Sequence, residues 1–242
     1  MTQLAADAAR AWWGARRAPD FVAAEIVGPD AVADLAAVRF DRQRLLARVE
    51  AGIRPVVDVL ALRVLDAARR TDKSAAQLAE ECAVSISGVR RAISLALDSG
   101  ALERRSGARY RTHSAWRPAT TRIVAVELKL HDWTAALHQA QAYARWAHAA
   151  WAVLGRTPPD PALRAAREHG IGVAVLAPDG SVARLVRPAS RPGSRLPWAS
   201  VWAGEQVLAR ALDAAPMPVR GATAQRARPR DAAAVHLLST GS

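Results

Sequence analysis

Arg122-Ile-Val-Ala-Val-Glu-Leu-Lys-Leu-His131 places a carboxylate and a lysine two residues apart near the end of an apolar run. Ile123, Val124, Val126, Leu128 and Leu130 favour extended chain, and in a strand successive side chains point to opposite faces. Glu127 and Lys129 therefore project together, while Val126, Leu128 and Leu130 face the other way. The lysine is unusual here. Of 34 basic residues only Lys73 and Lys129 are lysine, so arginine is the ordinary cation of this chain. A compact ammonium can steer a water and share a proton, whereas a guanidinium is too basic and too broad to do so. The plain alternative is an ion pair at a strand end, and the surrounding elements have to decide between the two.

Upstream, residues 21–27 and 31–40 are two β-rich runs separated by Gly28-Pro29-Asp30, turn chemistry that predicts an antiparallel hairpin. In the second run Val32, Asp34, Ala36 and Val38 share one face. Asp34 is then a carboxylate on a mostly apolar face, costly unless it is paired, exposed at the strand end or holding a cation. Residues 3–17 suit an amphipathic helix, with Leu4, Ala8, Ala11 and Trp12 at helical spacing and Pro19 as its stop. Downstream, 132–151 reads as one long helix in which Gln139 and Tyr143, four apart, stack on one face and Trp133, Leu137, Ala144 and Trp151 supply the packed side. A short helix over 161–168, a buried-type strand over 171–176 and a partner strand over 182–186 follow. From Pro188 on, Pro, Arg, Ser and Gly dominate, interrupted by one helix over 198–212; residues 216–242 read as a flexible basic tail.

Between Phe40 and Pro118 the periodicity changes. Residues 41–53 suit a connecting helix, and 56–70 a second one with Val56, Leu60, Val64 and Ala67 on one side. Ser74-Ala-Ala-Gln77 is a capping-box pattern opening a short helix with Leu78 and Cys82 inward. A further helix over 88–99 has Val89, Ile93 and Leu97 inward, and 102–112 reads as two short strands around Ser106-Gly107. That order, with Gln77-Leu-Ala-Glu80, Val84-Ser85, Val89-Arg-Arg-Ala-Ile93 and Ser99-Gly-Ala-Leu-Glu-Arg104, resembles the winged helix-turn-helix family over residues 55–114. The resemblance implies a helix entering the major groove and a wing touching backbone. Carried onto this chain it assigns DNA contacts to Ser87, Arg90, Arg91 and Ser94 on the helix, and to Arg104, Arg105, Arg109 and Arg111 on the wing. A solvated basic face or a protein-contacting wing is the competing reading.

With residues 41–118 set aside, the remainder reads helix, strand, strand with Asp34, strand with Glu127-Leu128-Lys129, helix with Gln139 and Tyr143, strand, strand. That order resembles the PD-(D/E)xK nuclease superfamily with a winged helix inserted between its second and third strands. The resemblance implies an α/β (α+β) fold with a mixed central sheet flanked by helices, restriction-endonuclease-like, built discontinuously from 1–40 and 119–188. It makes 41–54 a connector and 189–242 a C-terminal helix and tail. It further implies a divalent ion, Mg²⁺ or Mn²⁺, at Asp34, Glu127 and Leu128, with Lys129 positioning the attacking water and Gln139 and Tyr143 supporting the site. Hard oxygen ligands suit such an ion. The first helix offers Asp7 but no Glu of the kind many members carry there.

Composition bounds the partners. A formal charge of +12 in 242 residues favours polyanions, double-stranded DNA first among them. Paired half-sites make a homodimer an expectation as well. One cysteine, Cys82, can form neither an intramolecular disulfide nor a structural zinc site, which fits a reducing cytoplasm. The first twenty residues, charged at Asp7, Arg10, Arg16 and Arg17, do not read as a signal peptide, and no apolar run is long enough to span a membrane. The histidines form no pair at zinc spacing, and neither a Gly-x-x-x-x-Gly-Lys loop nor a Gly-x-Ser-x-Gly elbow occurs, so NTPase and serine-hydrolase readings fall away. A DNA-binding, metal-dependent endonuclease is the expectation, with a winged-helix regulator carrying an inactive nuclease-like domain as its alternative.

Overall fold

A computed structural model describes residues 18–189 and 197–214. The first hairpin forms as its turn chemistry predicts: β1 (Phe21–Val27) and β2 (Val32–Phe40) pair antiparallel with Ala24 opposite Leu35. Gly28 N–H closes the turn on the Ala31 carbonyl at 2.9 Å. A Cβ at Gly28 would lie 2.6 Å from the Trp146 indole nitrogen, so no larger residue fits there without displacing that ring.

The chain then leaves the sheet and builds a second unit. Helix α1 (Arg42–Glu50) is capped by Asp41, and α2 (Val59–Ala67) by Asp58, whose carboxylate accepts from Ala61 N–H at 2.8 Å. That cap starts α2 three residues after the position expected from Val56, since the N-cap backbone is extended rather than helical. A two-residue strand β3 (Lys73–Ser74) leads into α3 (Ala75–Glu81), where the Ser74/Gln77 capping box is formed at both of its hydrogen bonds. Helix α4 (Ile86–Asp98) begins at its Ser85 cap, two residues earlier than expected, which brings Ser87 into its first turn. Strands β4 (Leu102–Arg105) and β5 (Arg109–Thr112) close a three-stranded sheet in the order β3-β5-β4. Leu78, Cys82, Val89 and Ile93 are buried as their spacing requires, and burial pushes the Cys82 thiol above its ordinary pKa.

Strand β6 (Thr120–Lys129) returns to the first sheet, pairing antiparallel with β2 and parallel with β7 (Ala149–Leu154). Helix α5 (Trp133–Tyr143) is the crossover between them, and α6 (Asp160–His169) crosses from β7 to β8 (Gly172–Leu176), which β9 (Val182–Val186) flanks antiparallel. The sheet is therefore mixed and six-stranded, ordered β1-β2-β6-β7-β8-β9, with helices packed on it. Val124, Val126 and Leu128 join Trp151 and Val153 in the core of one face, while the odd-numbered Glu127 of β6 turns to α5.

One expected element is corrected. The helix read over 132–151 stops at Tyr143, and its last residues form β7 instead. Ala147, Ala149, Ala150 and Ala152 are good helix formers, but a strand buried on both faces also lacks polar alternation, so composition does not separate the two states. Packing decides: all six residues of β7 are buried, and Trp151 occupies the space a side chain at its rung partner Gly172 would need, with a Cβ there 2.5 Å from the ring. The expected helix over 3–17 and tail over 216–242 lie outside the described residues.

Clustering of contacts divides the chain into two compact units, one holding residues up to Phe40 with Thr120–Ala203, the other Asp41–Ala119 with the chain from Gly204 on. Helix α7 (Pro197–Ala214) contributes to both. Within the second unit its Glu205 meets α1: Arg48 Nη1 and Nη2 grip the two carboxylate oxygens at 2.6 and 2.7 Å, and Val56 N–H donates to the same group at 2.9 Å. Both side chains are buried. Among the described residues no helix is long and apolar enough to cross a membrane.

Glu205→Ala strands the Arg48 guanidinium in the interior, so it is expected to lower stability by about 3–5 kcal/mol in urea unfolding, with Arg48→Met/Glu205→Leu recovering most of it. A single-mutant loss under about 1 kcal/mol would show the pair to be solvated. A second expectation concerns pH. His148 Nδ1 accepts from Ile123 N–H at 3.1 Å, and burial, with Arg122 nearby, lowers its pKa below the ordinary 6.5. The folded state thus takes up its proton less readily than the unfolded state, and stability should fall as pH drops through 6.5 toward the folded value. His148→Gln should flatten that part of a Tm-versus-pH profile; an unchanged profile would refute it.

Candidate functional site

The β2–β6 register brings together residues far apart in sequence. Leu35 lies opposite Val126, so the next rung sets Asp34 beside Glu127. The ladder stops there, and the Asp34 carboxylate replaces the missing backbone acceptor by taking the Leu128 N–H on Oδ2 at 2.7 Å. Asp34 is half-buried and Glu127 only 1% exposed.

Glu127 reaches toward α5. Its Oε2 lies 2.5 Å from the Tyr143 hydroxyl, which is also 2.7 Å from the Val32 carbonyl oxygen. One hydroxyl proton faces two acceptors, so one of these contacts is unmatched at any instant. Oε1 lies 2.7 Å from Lys129 Nζ, yet the ammonium sits off the direction of a hydrogen bond, and Oε1 has no aligned donor among the described residues. The contact is an ion pair at hydrogen-bonding distance. It nevertheless holds the Lys129 ammonium above its ordinary pKa, with Asp34 and Asp132 adding to the effect against partial desolvation. Burial first, then Glu127, pushes the Tyr143 phenol far above its usual value, so it stays a neutral donor.

Two carboxylates against one ammonium leave the cluster one negative charge in excess. Mg²⁺ takes hard oxygen ligands, keeps several waters and is commonly bound through one or two carboxylates plus substrate phosphate. Asp34 and Glu127 have the chemistry for such an ion, with Oε1 already paired to the Lys129 ammonium. No group of three or more His, Cys, Asp or Glu side chains converges on a common point among the described residues. Gln139 lies one turn before Tyr143, half-buried, and no hydrogen bond joins it to Asp34, Glu127 or Lys129. Sequence reasoning passed over Glu25, which interrupts the β1–β2 ladder between Ala24, opposite Leu35, and Ile26, opposite Ala33. Its backbone is left-handed at φ +52°, a conformation worth a look wherever it sits beside a polar cluster, and its side chain is exposed. Counting rungs back from the Gly28 turn would have found it.

The residues assigned to DNA contact lie in the other unit. Ser87, Arg90, Arg91 and Ser94 are all exposed and, at spacings of three and four, form one stripe along α4. The hairpin arginines divide. Register puts Arg105, Arg109 and Arg111 on one face with Glu103, while Arg104 shares the other face with Tyr110, Leu102 and Thr112. The four therefore do not present a single surface, because Arg104 and Arg105 are consecutive in one strand. Ion pairs also engage them, Arg105 with Glu103 at 2.5 Å and Arg111 with Asp72 at 3.3 Å.

No protein-family model, curated protein or solved structure matches this chain. Tyr143→Phe is the direct test of the buried cluster: it deprives Oε2 of its donor and should cost about 1–3 kcal/mol in urea unfolding, the penalty of an unsatisfied buried acceptor. Lys129→Ala, which removes a partly exposed partner, should cost less. The reverse ranking would place the stabilising contact at the ammonium.

Proposed function

We propose that this chain is a metal-dependent DNA endonuclease of PD-(D/E)xK type, carrying a winged helix-turn-helix as its duplex-binding unit. The observation that carries the reading is Asp34, one residue past the end of the β2–β6 ladder, accepting the Leu128 N–H next to Glu127, with Lys129 paired to Glu127. Element order supports it. Two strands, an excursion, a third antiparallel strand, a helix and a parallel fourth strand follow one another as that superfamily would have them, and after α1 the excursion holds three helices and a hairpin in winged-helix order.

In this reading Asp34 and Glu127, with Leu128, hold Mg²⁺ or Mn²⁺. Such an ion, when bound, offsets the charge that builds on a phosphate during phosphodiester cleavage. Lys129, charged throughout the physiological range, stands ready to orient a water or a phosphate oxygen. Tyr143 holds the Glu127 carboxylate in one orientation and blocks its rotation away from the rung. In the second unit, the α4 stripe of Ser87, Arg90, Arg91 and Ser94 reads base edges, with arginine suited to guanine, while Arg105, Arg109 and Arg111 contact phosphates.

One observation favours a second reading. Glu127 is almost fully enclosed and already touches Tyr143 and Lys129, which suits a structural ion cluster in a DNA-binding regulator that no longer cuts.

The two readings separate by mutation. Glu127→Gln and Lys129→Ala should each lower plasmid cleavage in Mg²⁺ or Mn²⁺ by orders of magnitude while leaving duplex binding near wild type. Arg90→Ala/Arg91→Ala should lose about 1–3 kcal/mol of binding per base-directed contact and keep the metal site. Wild-type protein that cuts no duplex, with Glu127→Gln altering only the unfolding midpoint, gives the regulator reading the lead.

A further inference from the structure

A cleft of about 510 Å³ opens in the second unit, away from the α4 stripe in its lining, and five guanidinium groups border it: Arg44 of α1, Arg69 after α2, Arg105 and Arg111 of the hairpin, and Arg117. Four of them have a carboxylate within reach, Asp41 at 3.2 Å, Asp66 at 3.6 Å, Glu103 at 2.5 Å and Asp72 at 3.3 Å. None of those carboxylates lines the cleft, so the arginines are the charged side chains around it, Arg44 and Arg111 donating also to the Pro118 and Arg70 carbonyls at 3.1 and 3.5 Å. Arg117 is exposed and has no ion pair among the described residues. Exposed pairs of this kind hold their partners weakly, and one carboxylate takes at most two of a guanidinium's five donors.

A second observation points to a ligand. Trp116 also borders the cleft, is 94% buried by its 6% exposure, and its indole N–H has no hydrogen-bond partner among the described residues. A buried donor left unmatched is costly, and here it belongs to a residue that lines a cavity of small-ligand size. The set combines several planar cationic forks with one neutral N–H donor. Phosphoryl oxygens suit it best, since guanidinium grips them two at a time and they accept readily from an indole. Five forks around one cavity exceed what a single phosphoryl group uses.

We infer that this cleft binds a ligand bearing two or more phosphoryl groups, through Arg44, Arg69, Arg105, Arg111, Arg117 and the Trp116 indole. The inference does not require that Asp34 and Glu127 support cleavage, nor that α4 reads DNA. The phosphoryl groups come either from a free nucleotide or from successive phosphates of a nucleic-acid backbone, and one set of variants tells them apart.

The full chain is titrated calorimetrically with sodium pyrophosphate and with ATP, adenosine serving as the phosphate-free control. The same proteins are then measured for duplex affinity across a salt series. For a free-nucleotide ligand, pyrophosphate and ATP bind while adenosine does not. Arg69→Ala/Arg117→Ala, both exposed and safe for folding, weakens binding at least tenfold. Trp116→Phe, which keeps the ring and removes the N–H, weakens it severalfold, and Arg90→Ala/Arg91→Ala leaves it unchanged. For backbone phosphates, pyrophosphate fails to bind but Arg69→Ala/Arg117→Ala lowers the slope of log affinity against log salt by about 1.8, at roughly 0.9 per lost phosphate contact. Pyrophosphate binding that ignores the cleft variants, or cleft variants that move neither measurement, overturns the inference.

Discussion

The pairing of β2 with β6 is the constraint on which the rest of this molecule depends. Phe40 ends β2 opposite Thr120 at the start of β6, so the excursion over residues 41–119 leaves and rejoins the sheet at one rung. A long insertion that closes on itself adds little entropic cost, since closure grows only with the logarithm of loop length. Register is then fixed at the other end of the ladder, where Asp34 accepts the Leu128 N–H. A slip of one residue would turn Val124, Val126 and Leu128 out of their core and carry Glu127 to the wrong face. The position of the candidate site and the integrity of the core are therefore one requirement.

The two deeply buried carboxylates among the described residues are held differently. Glu205 is matched by two guanidinium nitrogens and a backbone N–H, a closed set that leaves nothing for a ligand. Glu127 shares one phenolic proton with the Val32 carbonyl at Oε2 and pairs through Oε1 with a single, partly exposed ammonium.

How much of this was legible in the sequence varies with the range of the interaction. The Gly28-Pro29-Asp30 hairpin, the Ser74/Gln77 capping box and the inward set Leu78, Val89 and Ile93 are local patterns, and each appears where its spacing puts it. Glu127 and Lys129 on one face follow from strand periodicity alone. That Asp34 accepts the Leu128 N–H between them did not, because a contact between strands so far apart in sequence leaves no periodic trace. The alanine-rich stretch after Tyr143 was read as helix because intrinsic propensity favours it, and burial between β6 and β8 overrode that preference. Arg48 with Glu205 was invisible for the same reason as Asp34: the partners are far apart in sequence, and an arginine in a surface-looking helix gives no sign of burial. The split of Arg104 from Arg105 was within reach of strand alternation, which the charge pattern obscured.

The choice of cation at position 129 follows from the comparison of the two acids. Arginine is what this chain uses almost everywhere, and Arg48 shows what it does beside a buried carboxylate: it takes both oxygens at once with a planar fork and closes them off. An arginine at position 129 would tend to do the same to Glu127. Lysine offers a single compact ammonium on a flexible stem, enough to balance part of the charge from Asp34 and Glu127 while leaving Oε1 without an aligned donor. The ammonium itself is partly exposed, so it also faces solvent where a water or an anion arrives. A lysine here thus pairs with one oxygen of the buried acid, where the Arg48 fork takes both oxygens of Glu205.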